Sequence, residues 1–79
     1  MDDAEIVRRI GELAEEERAL EESGGVADDE DGEQRLHDLE VALDQCWDLL
    51  RQRRARRSAG LDPDDAAVRP ESTVETYRQ

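Results

Sequence analysis

The chain has 79 residues, 23 acids against 11 bases, a net charge of −12 and 43% charged side chains. Fifteen residues are Leu, Ile or Val and none is Phe, so the core is small and its stability marginal without close packing or a second chain. Net negative charge opposes general nucleic-acid binding, and no apolar run approaches the roughly 18 residues of a membrane span.

The acidic start Met1-Asp2-Asp3-Ala4-Glu5 lacks the apolar stretch of a secretory signal. The single cysteine, Cys46, has no internal disulfide partner, which fits a reducing cytoplasm. Charge is unevenly spread. Residues 1–34 carry a net of −11, residues 35–60 a net of +2 and residues 61–79 a net of −3.

Ile6, Ile10, Leu13 and Leu20 make a helical stripe with a gap at Glu17. Asp2 or Asp3 caps its start, and Ser23-Gly24-Gly25 ends it. The spacing predicts a first helix over about 3–22. After an acidic loop, with approximate capping pairs Asp28/Asp31 or Asp31/Gln34, a second helix is predicted over about 30–58. It carries Leu36, Leu39, Leu43, Cys46 and Leu50 in alternating steps of three and four, a coiled-coil seam. Arginines crowd its end, where cations complement the helix dipole. Gly60 is the predicted left-handed residue after the helix, with Leu61 folding back on the last turn.

The two stripes mirror each other. Ile6 with Leu50, Ile10 with Cys46, Leu13 with Leu43, Glu17 with Leu39 and Leu20 with Leu36 share one residue-number total, 56. A chain that doubles back near residue 28 pairs them layer by layer as an antiparallel αα-hairpin. The same fold brings Asp2, Asp3 and Glu5 beside Arg51, Arg53 and Arg54.

The second helix has more apolar surface than the first can cover. Trp47 flanks the seam on one side, Ala42 and Leu49 on the other, and Val41 extends the face. Either a second copy covers it, giving a four-helix bundle, or the tail folds over it. In the tail, Asp62 as N-cap, Pro63 at the first position and Asp65 start a short third helix running to about Val68, because Pro70 disfavours helix at Arg69. Val74 and Tyr77 are candidates to dock on the bundle. The expected architecture is thus all-α: residues 1–60 as the hairpin, residues 61–79 as a short capping helix and an extended tail.

No constellation carries catalysis. Cys46 lies on the seam as a small hydrophobe, more than two turns from His37. Glu33, His37, Glu40 and Asp44 share helical spacing, but a lone His in the order His37-x-x-Glu40 reads as an exposed polar face and not a metal site. Glu17 reads as a solvated rim residue, the alternatives being a pair with Arg35 or with an arginine of a partner chain, or a buried charge that sets register. The acidic stretch 28–33 lacks the ligand spacing of a calcium loop. No cofactor, metal or small-molecule substrate is expected.

The run from Leu39 to Arg54, containing Cys46-Trp47-Asp48-Leu49-Leu50-Arg51-Gln52-Arg53-Arg54, continues into Ala59-Gly60-Leu61-Asp62-Pro63-Asp64-Asp65 and Val68-Arg69-Pro70. With Glu15-Glu16-Glu17-Arg18-Ala19-Leu20 it resembles, over nearly the whole chain, a family of short actinobacterial proteins known only as a domain of unknown function. The stretch 24–32 is longer and more acidic than that pattern. The resemblance implies a cytoplasmic setting and assigns no catalytic residues.

The expected role is a non-enzymatic interaction module, self-associating as a homodimer or docking on a larger protein. Its contact residues are Trp47, Leu49, Val41, Arg51, Arg53, Arg54 and Arg57. The competing role is a small regulator touching nucleic acid, or the transcription or translation machinery, through the arginines at 51–57.

Overall fold

The computed structural model describes residues 1–23 and 30–70. Helix α1 spans Asp3–Glu22 and helix α2 spans Glu30–Ser58, as the periodicity predicts. At the start of α1 the Glu5 amide donates to Asp2 Oδ1 at 2.8 Å and the Asp2 amide donates to Glu5 Oε1 at 3.3 Å. This reciprocal capping box satisfies two otherwise orphaned backbone donors. The helix closes at Ser23, whose amide reaches the Ala19 carbonyl at 3.1 Å. Gly24, Gly25 and Asp28, assigned above to the turn, lie outside the described residues, as do Val74 and Tyr77.

The end of α2 follows the expected backbone pattern, although Leu61, expected to fold back on the last turn, leaves its side chain 53% exposed. Gly60 has φ of +75°, its amide donates to the Arg57 carbonyl at 3.1 Å, and the Leu61 amide donates to the Arg56 carbonyl at 2.8 Å. This paired closure uses the left-handed conformation that glycine adopts without a Cβ penalty.

The helices pack antiparallel, with Asp3 against Arg53 at one end and Glu16 against Arg35 near the other. Asp3 and Arg53 fall on the same mirror relation as the apolar pairs. Ile6, Ile10, Leu49 and Leu50 form the core cluster, with Leu43, Cys46 and Ala66 packed on it. Leu13 and Leu39 are buried farther along the hairpin, and Leu20 and Leu36 are half-buried.

Two expectations are corrected here. The third helix is one 3₁₀ turn, Pro63–Asp65, with Asp62 as its cap and the Asp64 amide donating to Asp62 Oδ1 at 2.9 Å. From Ala66 (φ −68°, ψ 144°) the backbone is extended. Its carbonyls accept hydrogen bonds from α2 side chains, which replace the helical bonds that a longer helix would have made. Leu49, expected as a partner-contact residue, is 7% exposed inside the core cluster, because the returning segment covers its side of α2, the second of the two coverings weighed above. Among the described residues, no helix is long and apolar enough to cross a membrane.

Candidate interaction surface on the second helix

Residues on α2 advance about 100° each, so its surface divides into three bands. One, holding Leu39, Leu43, Cys46 and Leu50, meets α1. A second, holding Gln45, Asp48, Leu49, Gln52 and Arg56, receives the returning segment. The third, holding Glu40, Trp47 and Arg54, lies on the opposite flank.

The second band works as a clamp on an extended chain. Gln45 Nε2 donates to the Arg69 carbonyl at 3.2 Å and Gln52 Nε2 to the Ala67 carbonyl at 2.8 Å. Asp48 is fully buried. Its carboxylate accepts from Arg69 Nε at 2.8 Å, from Arg69 Nη2 and from Gln52 Nε2 at 2.9 Å. The fork of Arg69 holds the Asp48 carboxyl below the usual carboxylate range, against the opposing pull of burial. Arg56 Nε donates to the Asp62 carbonyl at 2.6 Å, and its Nη2 lies 3.5 Å from Asp65 Oδ2.

Arg53 joins all three segments. It is 6% exposed, with Nε 2.5 Å from Asp3 Oδ1 and Nη1 3.0 Å from Asp64 Oδ1 and 3.2 Å from the Pro63 carbonyl. Arg57 reaches Asp3 with both Nη atoms, at 2.7 and 3.2 Å. The two guanidiniums, Arg57 foremost, hold the Asp3 carboxyl below its ordinary value, and Asp3 and then Asp64 push Arg53 up.

Of the seven expected contact residues, two are therefore sequestered. Leu49 lies in the core, and Arg53 is a buried internal tie. Val41 is half-buried, Arg57 is exposed but paired with Asp3, and Arg51 and Arg54 are exposed. Trp47 is 46% exposed. Exposed Val7, one residue past Ile6 on α1, shares the Trp47 flank, since Arg35 and Glu16 pair across the other one. The sequence reading passed over Asp48, Gln45, Gln52 and Arg69. The available signal was an acid inside the apolar run from Cys46 to Leu50, with glutamines three residues before and four after it on one helical face.

The acidic layer differs from the expected one. Arg35 Nη2 pairs with Glu16 Oε2 at 3.3 Å and not with Glu17. Glu17 is half-buried, and its pKa is raised by burial first and then by Glu21, Glu40 and Asp44, all of its own sign. Burial likewise pushes the Cys46 thiol up, with Arg9 opposing, so this thiol is a poor nucleophile. Among the described residues, no group of three or more His, Cys, Asp or Glu is arranged to hold a metal ion. An open groove along α1 is lined by Gly11, Glu12, Glu15, Glu16 and Ala19, which pair no nucleophile with a base.

The whole-chain pattern behind this arrangement recurs elsewhere. A family model described as "Protein of unknown function (DUF2630)" matches residues 2–79. The chain belongs to the DUF2630 family. An uncharacterized protein of Mycobacterium bovis and uncharacterized proteins from two strains of Mycobacterium tuberculosis are each 49% identical to it over 78 residues, covering 95% of this chain and 88% of the relative. These actinobacterial relatives agree with the resemblance read from the run around Cys46 and Trp47. No solved structure matches the chain.

Proposed function

We propose that this DUF2630 chain is a non-enzymatic helical interaction module that binds a protein through the Trp47 flank of α2. The carrying observation is that Trp47 remains 46% exposed while the neighbouring apolar residues Leu49 and Leu50 are buried. A half-exposed tryptophan on a rigid helix is the kind of side chain that anchors protein interfaces. The lone Cys46 supports a cytoplasmic setting.

The nucleic-acid reading has weaker support. Arg53, Arg56 and Arg57 are engaged with Asp3, Asp64 and Asp65, so much of the cluster's charge is spent on acids of the same chain, and phosphate tracking needs several uncommitted cations on one face.

A photoreactive side chain placed at exposed Arg51, one turn from an intact Trp47, in cells that express the protein tests the reading. A defined covalent adduct from position 51, absent when the probe sits at exposed Arg8, is the expected outcome. No adduct from position 51 would remove the proposal.

A further inference from the structure

Glu33, Glu40, Trp47 and Arg54 follow one another in steps of seven along α2. Such a row drifts only about 20° per step, so these side chains form one ridge on the flank away from the returning segment. Along it the charge runs negative, negative, apolar, positive. Trp47 stands midway between Glu40 and Arg54, about 10 Å from each along the axis.

This ridge is its own complement. Turned end for end about Trp47, it lays its positive end over its negative end. Glu40 belongs to the layer in which the charges acting on Glu17 are all acidic, so that layer gains from an added cation. Arg54 is exposed. Val7, 55% exposed, adds apolar area on the same flank. The core within one chain is small, and a second chain burying Trp47 and Val7 enlarges it.

We infer that a second copy of this chain covers the Trp47 flank. The two α2 helices run antiparallel about a two-fold axis at Trp47, and Arg54 of each copy meets the partner subunit's Glu40. The interface is isologous, as two-fold symmetry requires. The assembly is a four-helix bundle whose returning segments lie outside the contact. The inference rests on the interaction-module reading and names the partner.

Sedimentation equilibrium of the full chain tests it. The expected result is a dimer. Glu40→Arg alone and Arg54→Glu alone each weaken it roughly tenfold, because each sets like charges together at two symmetric places. An equimolar mixture of the two variants recovers the original strength, since the heterodimer restores opposite charges at both places. Trp47→Ala weakens association at least about tenfold while circular dichroism keeps its helical content. A chain that stays monomeric to about 1 mM, or a mixture no tighter than either variant, overturns the inference. A monomer that still forms the position-51 adduct with another protein overturns the second copy and leaves the module standing; a monomer without an adduct removes both.

Discussion

The two ends of the hairpin treat charge in opposite ways. At the end where α1 starts and α2 finishes, Arg57, Asp3, Arg53 and Asp64 alternate in sign and close a network over Ile6 and Leu50. Toward the turn, Glu17, Glu21, Glu40 and Asp44 place like charges together beside Leu39. One end is thus closed by a buried ionic network over the core, while the other sets one exposed cross-helix pair, Arg35 with Glu16, against a layer of like charges. The contrast teaches that a chain with a large charge surplus need not spread it evenly. Neutralising one end leaves the acidic surplus concentrated at the other, and local stability is expected to follow that division.

The largest test of the contrast is Ile6→Ala. Ile6 is fully buried beneath the ionic network, and truncation is expected to cost about 3 kcal/mol. In a chain this small that is much of the total stability, so urea denaturation should show a midpoint near zero. Leu20→Ala, at a half-buried position near the turn, should cost less than half as much.

Next in size is Arg69→Ala. Among the described residues it leaves the fully buried Asp48 carboxylate with Gln52 as hydrogen-bond donor, and it is expected to cost about 2 kcal/mol, below the usual loss for a broken buried pair because Arg69 is itself partly exposed. Amide exchange of residues 66–69 should rise before that of α1.

Glu17→Leu works in the other direction. It fills the gap in the α1 stripe and removes one charge from the acidic layer, for an expected gain of about 1 kcal/mol in urea denaturation. A loss of stability would mean that the layer is not repulsive.

The smallest effect is in pH, where the two ends carry opposite signs. Asp3 and Asp48 have lowered folded-state pKa values. Their contribution is present above the unfolded value of about 3.9 and is lost as pH falls through the folded values. Glu17 has a raised value. Its favourable contribution is full below the unfolded value of about 4.3 and is lost as pH rises through the folded one. Stability should therefore rise slightly on acidification from pH 7 toward Glu17's range and fall below about pH 4. Glu17→Gln should flatten the rise and leave the fall.

Much of this arrangement is legible in the residues. The helix limits are encoded locally, by Asp2 with Glu5 at one start and Gly60 at one end, and the antiparallel pairing by stripes of matching step. The returning segment was harder to read. Its hold on α2 comes from glutamines donating to main-chain carbonyls, which have no residue identity, and from Arg69 meeting an acid 21 positions away. Hence Leu49, expected as a partner-contact residue, proved covered and Arg53 proved internal, while Trp47 on the other flank stayed exposed. Glu17, expected as a solvated rim residue, is half-buried among acids of its own sign, and Arg35 reaches Glu16 instead.

The reversal at Gly60 makes one strip of α2 dependent on residues that come after it. Ala66 packs on the cluster that holds Leu49, and Arg69 supplies the guanidinium that Asp48 accepts from. A chain cut after Ser58 is expected to show an oily strip beside an unanswered acid, and to associate through it at concentrations where the full chain does not.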